Sequence, residues 1–343
     1  MKIGIHSFAS LEQPENNSSE HRHESISNLL QRIKLSDECG LDFFGIGEHH
    51  REEYLDSAAH IILSAASSIT KNIILKSSVA VLSAADPVRL FQNYSTLDLL
   101  SKGRVQMVVG RASFRESFPL FGLSFNDYNE IFEEKLNLLL KIRENASVKW
   151  SGKFRPALNG EEVHPRPYQD KIPIWVGVGG TPASVVRAAK LGLPLMIAII
   201  GGETRRFKPL CDLYRKTWVE SGFEKEDIQI GIHCLGYVGE NGEIAREEFY
   251  PGYAKSFTKI GIERGWGPVT RQSYDHLTSE HGAFFVGDSS EIVDKILSHS
   301  NDLGGINQFA FQMSVAELSN EQLSKSIKLI GKKVLPEIKK SLL

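Results

Sequence analysis

The chain is poor in cysteine, in long apolar runs and in net charge, and each shortage excludes something. Only Cys39, Cys211 and Cys234 occur in 343 residues. They are odd in number, widely separated and set among apolar neighbours, so buried thiols are expected rather than disulfides, a metal cluster or a nucleophile. No apolar run approaches the ~18 residues of a membrane helix, and Met1–Ile5 enters a strand pattern with no secretory apolar core before it. A cytoplasmic protein with no membrane partner is expected. A formal net charge of -2, with both signs interspersed, offers no basic surface for nucleic acid and points to small-molecule partners. Internal repeats are absent, as are the P-loop and the G-x-G-x-x-G fingerprint.

What the sequence does have is centred on residues 172–196, IPIWVGVGGTPASVVRAAKLGLPLM. Ile174–Val178 is a short apolar run of the kind found in a parallel strand buried on both faces. Gly179 and Gly180 follow. Thr181 then stands at a helix N-cap position, Pro182 suits the first helical residue, and Val185, Ala188 and Ala189 form an apolar stripe. A strand, glycine turn and capped helix in this order aim backbone N–H groups and a helix dipole at one point, where a phosphate fits. A plain turn in which the glycines only make the bend has the same pattern.

The rest of the chain alternates strand and helix in the same way. Strands are expected at Lys2–Ser7, Phe43–Gly47, Ile73–Leu82, Val105–Val109, Ile174–Val178, Leu195–Ile199, Ile228–Val238 and Gly305–Met313. Helices are expected at Ser25–Cys39, Ser57–Ile69, Val88–Leu100, Asn126–Glu144, Thr204–Ser221 and Asn320–Val334, with a polar loop up to Glu24. Eight such units predict a single α/β domain over residues 1–343, a (β/α)8 TIM barrel with an insertion at 239–284 between strands seven and eight. An open doubly wound sheet is the alternative, but it would leave two edges to cover.

In a barrel, function gathers just after each strand. Those positions hold Glu48-His49-His50, Ala84-Ala85-Asp86, Gly110-Arg111, the glycine turn, and Gly201-Gly202-Glu203. Arg111 offers a planar fork for an anion held by the glycine turn, or an ion pair with a loop carboxylate such as Glu116. His49 and His50 suit acid/base, ligand or structural roles. A metal site could draw on His6, His21, His23, Glu48, His49 and His50, but strands five and six add no ligand before Glu203, and His233 falls inside strand seven. No metal is expected.

Three segments resemble the bacterial luciferase-like flavin monooxygenase superfamily: GLDFFGIGEHH at Gly40–His50, the run Ser77–Arg111, and WVGVGGTPASVVRAAKLGLP at Trp175–Pro194. GIGEHH, RASFRESFPLFG, IIGGE, ERGWGP and VLPEIKK resemble one branch known as luciferase-like oxidoreductases. The resemblance implies a TIM barrel that binds reduced FMN at the strand mouths, or the deazaflavin F420 in some relatives. It implies His49 as the acid/base group near the flavin, Arg111 with Gly179, Gly180, Thr181 and Ser184 at the phosphate, and a non-prolyl cis peptide at Ser78-Val79 under the ring. The implied reaction uses FMN reduced by a separate, transient flavin reductase, with dioxygen and a small organic substrate. F420-dependent hydride transfer and a non-catalytic flavin carrier are the alternatives. Luciferase has a reactive cysteine where this chain has Gly110, and a Glu where it has Gly180, so arguments from those groups and from light emission do not transfer. Relatives also imply a homodimer, for which Asn93, Tyr94 and Leu97 offer a helix face. The glycine- and aromatic-rich 239–284 segment suits a mobile lid or a packed pair of helices.

Overall fold

The structure is a computed structural model that describes residues 1–12, 15–112 and 114–342. Eight parallel strands form the barrel: β1 Lys2–Ser7, β2 Phe43–Ile46, β3 Ile74–Ser77, β4 Val105–Gly110, β5 Ile174–Val178, β6 Leu195–Ile199, β7 Ile230–Gly239 and β8 Gln308–Gln312. Each pairs with the next in sequence, and β8 pairs with β1 (Lys2 opposite Gln308, His6 opposite Gln312), so the sheet closes without an edge. All residues of β4 and β8, and all but Gly239 of β7, are buried. Strands covered on one side by helices and filled on the other by side chains have no solvent-facing side, which is why they read as largely apolar runs.

Two packing regions result. The main core lies between barrel and helices, while Val108, Trp175 and Met196 form a separate cluster that fills the barrel interior, with Val79 against it. Polar groups share that interior: Lys76 Nζ donates to Gln308 Oε1 at 2.8 Å and lies over the Phe43 ring.

Local chemistry explains the element limits. The helix Pro87–Ser101 starts at Asp86, whose carboxylate accepts from the backbone N–H of Val88 and Arg89, and Lys102 ends it in the left-handed region at φ 55°. The first helix begins at Ser19 rather than Ser25, because Ser18 caps it by accepting from the His21 N–H. The expected third strand breaks at a cis Ser78-Val79 peptide and resumes as Ala80–Val81. A two-stranded hairpin, Ser147–Trp150 with Leu158–Glu162, was not anticipated in the connection before β5, and neither was an outer strand, Phe285–Asp288, paired with the end of β7. The segment between β7 and that strand folds into two helices, Gly242–Glu263 and Arg271–Thr278. Tyr94 and Leu97 are buried within the chain and so cannot form a docking face; Leu99, Leu100 and Ile61 are the exposed apolar residues there.

Candidate functional site

A cavity of about 710 Å³ opens at the C-terminal ends of the strands. His49, at the end of β2, and Arg111, at the end of β4, both line it, as do Ser78, Val79, Gly179 and Thr181. Gly180 and Ser184 belong to the same turn and helix and adjoin Gly179 and Thr181, though neither lines the cavity. His50 faces away, against Glu48 and the Phe121 ring.

His49 is held from behind. Asp56, fully buried, accepts from the His49 backbone N–H at 3.0 Å and from its ring Nδ1 at 2.7 Å. A carboxylate only accepts, so Nδ1 carries a proton toward Asp56, and in the neutral imidazole Nε2 is the lone pair toward the cavity. Burial pushes the Asp56 carboxyl up from its ordinary range, against the pull of His49. Phe8 and Tyr54 flank the imidazole at ring distances of 4.3 and 4.9 Å, which fixes its plane.

Arg111 does not pair with Glu116. That carboxylate goes to Arg51 at 2.6 Å, while Arg111 donates to Asn129 Oδ1 at 2.5 Å and Thr181 Oγ1 at 3.3 Å and lies over the Tyr128 ring. Among the described residues its partners are neutral, so a full positive charge stands beside the glycine turn. Thr181 occupies the N-cap but makes no side-chain cap bond; its hydroxyl oxygen accepts from Arg111 instead. Ser184 Oγ, in the first turn of that helix, is buried and has no partner among the described residues. Gly180 has φ +121°, which only glycine adopts without strain, and a Cβ on Gly179 would meet no atom within 4 Å. An unpaired cation, an unpartnered hydroxyl and open backbone at a helix N-terminus fit the phosphate of a mononucleotide.

The Ser78-Val79 peptide forms the adjoining wall. The Val79 side chain is wedged between β4 and β5, where a Cβ on Gly110 or on Gly177 would come within 2.6 Å of it. Glu48 Oε2 accepts from the Val81 N–H at 2.9 Å and ties the chain just beyond to the end of β2. On the far side, Lys255, Lys259 and Glu263 lie four residues apart on one face of the helix Gly242–Glu263 and meet the barrel loops. Lys255 pairs with Glu317 at 2.8 Å, Lys259 with Glu53 at 3.3 Å, and Glu263 with Arg51 at 2.7 Å. Among the described residues no group of three or more His, Cys, Asp or Glu is placed to hold a metal ion, and no helix is long and apolar enough to cross a membrane.

Sequence reasoning missed Asp56, Phe8, Tyr54 and His233. The position of His233 inside β7 argues against a place at the strand mouths, yet its side chain lines the cavity. Strict alternation along β7 was the available signal, but a strand buried on both faces hides which side chains point inward.

Comparison with known proteins gives the family and the fold. Residues 1–304 match the family described as Luciferase-like monooxygenase. The chain is 26% identical over 270 residues to a Luciferase-like monooxygenase of Escherichia coli, covering 78% of this chain and 76% of that protein. It is 27% identical over 225 residues to the alkanal monooxygenase alpha chain of Photorhabdus luminescens, covering 63% of this chain and 59% of that one. Among solved structures, the monooxygenase RslO1 of Streptomyces bottropensis superposes with a TM-score of 0.84 at 22% identity, over 98% of this chain and 99% of that one. The oxygenating constituent of 3,6-diketocamphane monooxygenase of Pseudomonas putida, in complex with FMN, gives 0.80 at 18% over the same shares. An F420-dependent secondary alcohol dehydrogenase gives 0.76 at 16%, over 98% of each chain. The chain belongs to the luciferase-like monooxygenase family, a family of oxidoreductases.

Proposed function

We propose that this protein is an FMN-dependent monooxygenase that takes reduced FMN from a separate flavin reductase and acts with dioxygen on a small organic substrate. The observation that carries the reading is Arg111, a cation with neutral partners beside the glycine turn, on the same cavity as the Asp56-held His49. Reduced flavin, when bound, supplies the electrons that activate dioxygen for transfer to the substrate. Arg111, Thr181 and Ser184, with the backbone of Gly179 and Gly180, hold the phosphate. Ser78 and Val79 form the support for the ring. His49 receives or returns a proton at Nε2, while its Nδ1–H stays on Asp56. The helix Gly242–Glu263 acts as a cover that excludes water from the cavity, fastened by Lys255, Lys259 and Glu263. The chain acts as one domain, as a cytoplasmic homodimer docked through the Ile61, Leu99 and Leu100 face.

A second reading, F420-dependent hydride transfer, is favoured by the likeness to the F420-dependent dehydrogenase. Purified protein saturated separately with FMN and F420 separates the two. Tight FMN binding, with oxygen consumption that depends on reduced FMN, is the expected result. Preference for F420 with no oxygen uptake overturns the monooxygenase reading, and flavin binding without turnover leaves a carrier.

A further inference from the structure

At the cavity wall Ser78 meets two histidines, His6 and His233, that the reading above does not use. His6, on β1, places Nδ1 at 2.7 Å from His233 Nδ1, on β7, and at 2.5 Å from Ser78 Oγ. His6 is fully buried and its Nε2 has no partner among the described residues. His233 lines the cavity, and Phe8 lies between it and His49, with ring distances of 6.2 Å to His233 and 4.3 Å to His49.

The positions of the protons follow from these contacts. A neutral imidazole has one N–H and one in-plane lone pair. If His6 Nδ1 were the lone pair, the His233 N–H and the Ser78 O–H would compete for it, and the His6 proton would sit on Nε2 as a buried donor with nothing to bond. If His6 Nδ1 carries the proton, it is shared between His233 Nδ1 and Ser78 Oγ, whose hydroxyl turns to suit. Only the second arrangement gives every proton a partner or an opening. It makes His233 Nδ1 the acceptor and puts the His233 proton on Nε2. That atom takes no protein partner among the described residues and is not among the buried unpartnered atoms, so it opens to the cavity.

We propose that His233 is a cofactor-contacting residue that donates its Nε2–H to an acceptor atom of the flavin ring from the cavity wall, with His6 and Ser78 as positioning residues that fix this tautomer. The inference rests on the flavin reading above, because Ser78 also begins the peptide assigned to support the ring. Burial, with the charge of Lys76 nearby, pushes His233 down to about 4 and His6 well below its ordinary value, so both rings are neutral at pH 7. The two cavity histidines are then complementary: His49 offers a lone pair at Nε2, and His233 offers a proton at the same atom.

The test uses the full chain with ¹⁵N-labelled histidine and oxidised FMN as the probe, read by long-range ¹H–¹⁵N NMR. His233 is expected in the Nε2–H form and His6 in the Nδ1–H form without ligand, and FMN is expected to shift the His233 Nε2–H signals. His233→Phe should bind FMN about 3- to 10-fold more weakly, the range for one neutral hydrogen bond, and His233→Gln, which keeps a donor, should stay within about twofold. His233 in the Nδ1–H form, or FMN bound with the His233 signals unmoved, overturns the inference and leaves the flavin reading standing. Absence of FMN binding overturns both. Should His233→Phe fail to fold, the spectra of the unaltered chain decide.

Discussion

Asp56→Asn is the sharpest perturbation of the proposed acid/base group, because it keeps shape while changing what His49 is bonded to. Asp56 is fully buried and its two oxygens take two bonds from one residue, the backbone N–H of His49 at 3.0 Å and the ring Nδ1–H at 2.7 Å. An asparagine has one acceptor oxygen, so one bond is lost and an amide N–H₂ faces the other donor. The strain is relieved if the oxygen keeps the backbone N–H and the amide donates to Nδ1, which drives the His49 proton to Nε2. The cavity then meets a donor where it had a lone pair. Loss of a hydrogen bond to a charged group costs about 1.5–3 kcal/mol. At 1.36 kcal/mol per tenfold, that slows a step needing a basic Nε2 by about 10- to 150-fold. FMN affinity should be unchanged, since Asp56 does not line the cavity. Reduced-FMN-dependent oxygen consumption measures the rate, fluorescence quenching measures FMN affinity, and the histidine spectra read the tautomer. Unchanged turnover, or His49 still carrying its proton on Nδ1 in Asp56→Asn, would refute the reasoning.

Other consequences are open to simpler measurements. A neutral buried His233 makes stability depend on pH: the unfolded chain binds a proton below 6.5 while the folded chain resists it down to about 4, so stability holds above pH 6.5 and falls across that window, by about 3 kcal/mol for this group alone. Denaturant titrations from pH 7 to 4 should show the loss, and His233→Phe should flatten it. Gly177→Ala puts a Cβ 2.6 Å from Val79 and should cost about 1–3 kcal/mol in thermal unfolding, recovered in part by Val79→Ala, while Gly179→Ala, with open space around it, should cost little. Replacing Lys255, Lys259 and Glu263 together by Gln removes pairs worth about 0–1 kcal/mol each, and should speed limited proteolysis within 265–270 several-fold; an unchanged cleavage rate would remove the cover from the account.

Much of this architecture could be read from the chain because parallel strands covered on both faces leave largely apolar runs, and because the barrel puts strand ends at one mouth. That rule points to Arg111, while the turn at Gly179–Thr181 is legible from its own strand, glycine and capped-helix pattern. The hairpin Ser147–Trp150 with Leu158–Glu162 escaped because it is largely exposed and polar, so burial left no pattern. The first helix was begun late because its opening turns bury His21 and Ser25 rather than aliphatic side chains. Asp56 was invisible for a different reason: its role depends on the return of the chain after β2, which brings position 56 behind position 49. His6 and His233 are far apart in the chain and meet only when the barrel closes between β1, β8 and β7.

The central claim is that this barrel mouth holds a flavin by its phosphate, and comparing FMN with riboflavin in two proteins tests it directly. Among the described residues Arg111 meets only neutral partners, so its charge is available to an anion. The unaltered chain should bind FMN more tightly than riboflavin. Arg111→Ala should weaken FMN by about 1.5–3 kcal/mol, or 10- to 150-fold, and leave riboflavin nearly unchanged, which closes the gap between the two ligands. Equal losses for FMN and riboflavin, or no preference for FMN in the unaltered chain, would contradict the account.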